Sequence, residues 1–183
     1  FDLGGVDAQD VIAGAQFLKL TNQADPKRIV VTGRSHGGYL TMVCLTQAPG
    51  VWAGGSAVVP LLNSVWGAAN SREDLQYWDL ENMGDPVENA ELWRSRSPYF
   101  FLDKVNAPVQ LICGGNDPRC PASESIEVRD RLLSYGKTLD FHLYPDEGHS
   151  FLKIENLVDA EMKRVAFLAM CLEDRGVQTQ SVI

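Results

Sequence analysis

Long apolar runs are missing from this chain. None approaches the ~18 residues of a membrane-spanning helix, and no signal-peptide pattern is present. Basic clusters are missing too: 16 Lys and Arg stand against 24 Asp and Glu, a formal net charge of −8. A nucleic-acid or anionic-membrane partner would need a basic face, so neither is expected. Cysteine is sparse, and Cys44, Cys113, Cys120 and Cys171 form no CxxC pair. That removes the usual redox and structural-zinc signatures. Three of the four sit in apolar runs, where cysteine acts as a small hydrophobe. Cys120 lies in a polar loop and reads as either a reactive or an incidental thiol. A chain of this length does not need disulfides, and a reduced, cytoplasmic protein is expected. Gly-Gly pairs at 4–5, 37–38, 54–55 and 114–115 invite a nucleotide reading, yet none makes G-x-G-x-x-G. With no phosphate loop or metal cluster either, no cofactor and no metal are expected.

What is present is ordinary globular material: 45% hydrophobic and 22% charged residues, no repeat, and one domain by length. Residues 6–20 place Val11, Ile12, Ala15 and Leu18 at helical spacing, and 22–26 read as a turn. Strands are predicted at 27–32, 52–59, 107–115 and 138–144, with helices over 39–47, 121–135 and 153–172. Between them, 61–97 is long, weakly periodic and rich in Trp, which predicts a functional segment or a set of short helices. Strands alternating with helices predict an α/β fold, a parallel sheet with helices on both faces.

Such sheets gather chemistry where their strands end. The first strand runs into Gly33-Arg34-Ser35-His36-Gly37, the third into Gly114-Gly115-Asn116-Asp117, and the fourth into Asp146-Glu147-Gly148-His149. Serine, acid and histidine thus stand at three strand ends, in the chain order of an α/β-hydrolase triad. A G-x-S-x-G string alone arises by chance in roughly one chain in sixteen of this length, and a plain glycine turn is the alternative. The strand before it, the helix after it and the later acid and histidine carry the assignment. Gly33 and Gly37 are expected to keep side chains away from Ser35, and Gly38 to let the helix pack closely. His149 is the candidate base, while His142, inside a strand, reads as structural. Asp117 is the candidate acid, with a turn residue before Pro118 as its other reading and Asp146 as a possible substitute. The His36 N–H is a candidate oxyanion donor, its side chain expected to point elsewhere.

The blocks "GRSHGGYLT", "GGNDPRCP" and "YPDEGHSF", with "WRSRSPYFFLDKVNAPVQLI", resemble the prolyl oligopeptidase family of serine peptidases, in particular its acylaminoacyl-peptidase and dipeptidyl-aminopeptidase-like members. The resemblance covers nearly the whole chain. It implies an α/β-hydrolase and matches Ser35 to the nucleophile, Asp117 to the acid and His149 to the base. Arg119 matches a position that contacts a substrate carbonyl in some members, with a surface ion pair as its other reading. The stretch from Pro60 to Trp66 matches the wall of the pocket for the residue before the scissile bond, making Trp66, with Tyr39, a substrate-binding candidate. Residues 1–183 then form the C-terminal portion of a catalytic domain whose N-terminal strands, with a second oxyanion donor, are missing from this chain. Three functions follow: a serine peptidase on short or N-terminally blocked peptides, a carboxylesterase with the same triad, or an incomplete non-catalytic α/β domain. The expected partner is a peptide or ester substrate. On its own the chain is expected to self-associate, or to pair with the missing N-terminal part.

Overall fold

Helix α1 (Val6–Leu20) forms where the periodicity places it. The first strand, β1 (Val30–Arg34), starts later than residue 27 because Asp25 claims that stretch for a turn. Its carboxylate accepts from the Lys27 N–H at 2.9 Å and its carbonyl from the Arg28 N–H at 2.9 Å. Helix α2 (His36–Gln47) begins directly after Ser35, and β2 (Gly54–Val58) follows it. The Trp-rich segment resolves into α3 (Ser64–Asn70), α4 (Glu73–Met83) and α5 (Ala90–Arg96), with a 3₁₀ stretch over Pro98–Lys104. Then come β3 (Val109–Gly114), α6 (Ala122–Ser134), β4 (Leu139–Tyr144) and α7 (Ile154–Leu172). The computed structural model describes residues 2–173; residues 1 and 174–183, the ends of the expected 1–183 domain, lie outside the described residues.

All strand pairs are parallel and the order is β1-β2-β3-β4. Side chains of successive strand residues point to opposite faces, which identifies what covers each face. A Cβ on Gly54 would meet the Cys171 Sγ of α7 at 2.4 Å, whereas one on Gly55 would meet the Leu45 side chain of α2 at 2.7 Å. Helices α7 and α2 therefore lie on opposite faces. On the α2 face, Ile12 and Ala15 of α1, Met42 and Leu45, and Val128 and Leu132 of α6 pack with Val31, Ala57, Val109 and Leu111. On the other, Val58 and Ile112 pack with Phe151 and Ala160. A strand order without reversal, joined by crossovers of one hand, keeps the connecting helices on one face, and α2 and α6 share the same core cluster. Each fully buried aliphatic, such as Leu45 or Leu111, contributes about 1.5–3 kcal/mol. Both β2 and β3 are buried along their whole length, and their two polar side chains satisfy each other, Ser56 Oγ donating to Gln110 Oε1 at 2.6 Å. Among the described residues no helix is long and apolar enough to cross a membrane.

Candidate active site

Parallel strands in register deliver their following loops to one edge, and three of those loops meet there. Ser35 sits between β1 and α2 with φ 57° and ψ −117°, a conformation that non-glycine residues rarely adopt. Two backbone bonds hold it: its N–H donates to the Val58 carbonyl at 2.8 Å, and its carbonyl accepts from the Tyr39 N–H at 2.9 Å. Gly33 makes this turn possible, since a Cβ there would lie 2.3 Å from the Gly37 carbonyl oxygen. The expectation for Gly37 itself is corrected: a Cβ at that position would meet nothing within 4 Å. The motif's first glycine is thus required by close backbone approach, and the second is the backbone being approached.

His149 joins the other two groups. Its Nε2 lies 2.8 Å from the Ser35 Oγ, and its Nδ1 lies 2.8 Å from the Asp117 Oδ2. The Asp117 side chain is wholly buried, and its other oxygen accepts from the N–H groups of Arg119 (2.8 Å) and Cys120 (3.0 Å). That fixes the carboxylate in the plane of its task, leaving Oδ2 for the imidazole. Asp146, the possible substitute acid, is instead exposed and paired with Lys153, which holds its carboxyl below the usual range. His142 contacts the Asp140 carboxylate at 3.0 Å and stays on its strand. Cys120 is not the accessible thiol of a polar loop. It is buried, and burial followed by the Asp117 and Glu124 charges pushes its pKa up to about 12, so it stands as a neutral thiol beside Asp117 and His149.

A cavity of about 330 Å³ opens beside the serine, lined in part by Ser35, His36, Tyr39, Trp78, Asp79 and Arg119. At the start of α2 the N–H groups of His36, Gly37 and Gly38 meet no acceptor among the described residues, leaving the positive end of the helix at the serine. The His36 side chain lines the cavity rather than pointing away from it. Its Nε2 lies 3.3 Å from Asp7, and its ring packs edge-on to Trp78. Tyr39 offers the cavity only its ring, because its hydroxyl donates to the Arg96 carbonyl at 2.8 Å. Trp66 is not brought in: it lines a separate pocket with Tyr99 and Glu127. Trp78, the sixth residue of α4 in the same irregular segment, lines the cavity in its place.

Several residues that shape the site carried no sequence signal. Arg34, the variable residue of G-x-S-x-G, donates from its guanidinium to the His149 carbonyl and lies over the Phe151 ring, tying the serine turn to the histidine loop. Glu147 is buried and accepts from the N–H groups of Leu152 (2.7 Å) and Lys153 (3.1 Å) and from the Asn156 amide (2.8 Å). Burial pushes its carboxyl up, yet these hydrogen bonds outweigh it and leave the group below its ordinary range. Outside the cavity, Glu124 of α6 accepts from the N–H groups of Leu62 and Asn63, both at 3.1 Å, and so fixes the loop after β2. That loop leaves the sheet through Val59, a β-branched residue at φ 43°.

The family model described as the prolyl oligopeptidase family matches residues 1–175, and the chain belongs to that family. It is 32% identical over 180 residues to the dipeptidyl peptidase family member 6 of Caenorhabditis elegans, covering 93% of this chain and 24% of that protein. Among solved structures, the uncomplexed acylaminoacyl peptidase of Pyrococcus horikoshii superposes with a TM-score of 0.82 at 32% identity, covering 93% of this chain and 28% of that one. A puromycin-hydrolyzing peptidase of Mycobacterium tuberculosis gives a TM-score of 0.89 at 28% identity, covering 96% and 27%. The chain spans about a quarter of the length of the relatives it matches. Its parallel sheet, with helices on both faces, has the α/β-hydrolase fold.

Proposed function

On that membership we propose that the chain carries the catalytic centre of a serine peptidase that hydrolyses short or N-terminally blocked peptides through an acyl-enzyme. One observation carries the reading: an unbroken relay from the Ser35 hydroxyl through the His149 ring to the buried Asp117 carboxylate, at the mouth of a cavity. In this reading Asp117 holds the tautomer that leaves Nε2 free to accept the serine proton. Ser35 Oγ attacks the substrate carbonyl, and the developing oxyanion is met by the His36 N–H at the positive end of α2. His149 then returns the proton to the departing amine. A water activated by the same imidazole releases the acid and restores Ser35. Arg119, on an exposed loop over the cavity, would steady a substrate carbonyl.

An active-site-directed fluorophosphonate tests this in the full-length protein, together with peptide-amide and ester substrates. Labelling should map to Ser35, and Ser35→Ala should lose both the label and several powers of ten in rate while remaining folded. Turnover retained by the purified variant would remove the assignment.

A further inference from the structure

Asp79 takes no part in the relay, yet its setting is unusual. It lies in the interior of α4, where a carboxylate does not cap the helix. Only 4% of the residue is exposed, and among the described residues no hydrogen bond or ion pair reaches its carboxylate. Burial alone lifts its pKa to about 6, so at neutral pH it remains largely a charge. Buried charges are ordinarily paired, because stripping water from one without compensation costs several kcal/mol.

The residue lines the same cavity as Ser35. The groups that feel its charge are Tyr39, Cys120 and Glu124, none of them a cation. Arg119 lines the cavity too but makes no ion pair with it. The second acid of the lining, Asp74, is exposed and already bonded to Arg72 at 2.8 Å. The remaining walls near Asp79 include the rings of Tyr39 and Trp78, whose faces favour an ammonium or guanidinium over a neutral polar group. The cavity thus holds a buried carboxylate without a counter-charge among the described residues, on a wall shared with the rings of Tyr39 and Trp78 and beside Ser35.

Resting on the peptidase reading above, we propose that this cavity receives a cationic group of the substrate and that Asp79 is its ion-pair partner. Two sources supply that chemistry: a lysine or arginine side chain on the residue whose carbonyl Ser35 attacks, or the free α-amino group of that residue. The full-length protein is assayed with N-acetyl-lysyl, N-acetyl-norleucyl and free norleucyl p-nitroanilides. A charge-assisted hydrogen bond should favour the charged substrate over the matching neutral one by about 10–100-fold in kcat/KM. Preference for N-acetyl-lysyl over N-acetyl-norleucyl assigns the side chain, and preference for free over acetylated norleucyl assigns the amine. Asp79→Asn should collapse the ratio towards one, with its near-ultraviolet circular dichroism unchanged. Equal rates for charged and neutral substrates in the wild type overturn the proposal, and so does a ratio that survives Asp79→Asn. If no substrate is cleaved and Ser35 takes no fluorophosphonate, the peptidase reading fails separately. The cation site is then decided by calorimetry with N-acetyl-lysinamide, N-acetyl-norleucinamide and free norleucinamide: tighter binding of either charged ligand upholds it, and equal binding of all three sinks it.

Discussion

Glu124 should make this protein less stable as pH rises through the weakly acidic range, opposite to what paired surface carboxylates do. Burial is the main cause, lifting its pKa from the ordinary 4.5 to about 7 against the two N–H bonds from Leu62 and Asn63, which lower it. Between those values the folded chain keeps a proton on Glu124 that the unfolded chain has already released. Unfolding therefore releases that proton, and a higher pH favours the unfolded state. The favourable contribution is present in full below about 4.5, fades as pH rises to about 7, and is absent above. A displacement of this size corresponds to about 3 kcal/mol.

Other acids titrate in the same window, Asp79 among them, so the informative quantity is the difference between wild type and Glu124→Gln. The glutamine carbonyl still accepts from Leu62 and Asn63, while its amide takes the place of the Glu124 Oε1, which has no partner among the described residues. Near pH 5 the two proteins should have similar urea midpoints. By pH 8 the variant should be the more stable, by about 2–3 kcal/mol, because it buries no charge. Parallel pH profiles for the two would refute the reasoning, and would mean that water reaches the Glu124 carboxylate.

Two further outcomes follow from packing. Gly33→Ala places a methyl group against the Gly37 backbone and should cost about 1–3 kcal/mol or more, whereas Gly37→Ala enters open space at the start of a helix and should stay within about 1 kcal/mol of wild type. Equal losses in urea titrations of the two variants would contradict the geometry of the turn. The 183-residue chain alone should self-associate in sedimentation velocity, because β1 has a sheet neighbour on one side only among the described residues, and Ile154, Met162 and Val165 of α7 are each more than 60% exposed. A clean monomer would show that this edge and face need no cover.

Much of the fold was legible because it follows from periodicity. The helical spacing of Ile154, Leu157 and Val165 predicts α7, and the largely apolar composition of β2 and β3, broken only by Ser56 and Gln110, predicts strands buried on both faces. Errors fell at boundaries, where a local bond competes with pattern. Asp25 delays β1, and the carbonyl of Ser35, by accepting from Tyr39, lets α2 start at His36. The segment from 61 to 97 is the expected set of short helices, but their bounds were not legible, because they bury single anchors such as Met83 and Trp93 rather than a repeating stripe. For the same reason Trp66 and Trp78 were indistinguishable as sequence, and only the direction of each helix decides which reaches the cavity.

The three groups of the relay were legible for another reason: each follows a strand, and parallel strands bring their ends together whatever lies between. What supports those groups was not legible, because support is a matter of loops meeting loops. Arg34 reaches the His149 carbonyl across 115 residues, and Glu147 closes its own loop with three donors that follow it within nine residues. Neither contact has a period, and an arginine or a glutamate at a strand end reads equally well as solvated surface. The conformational cost is also concentrated where no pattern reveals it. Ser35 and Val59 both hold positive φ at the carboxyl ends of neighbouring strands, and they are linked, since the Ser35 N–H bonds to Val58 while the Val59 N–H bonds to Ile112. The sheet's last hydrogen bonds thus hold two turns in conformations they would not adopt alone. One presents the hydroxyl, and the other leads the chain to Leu61 on the cavity wall.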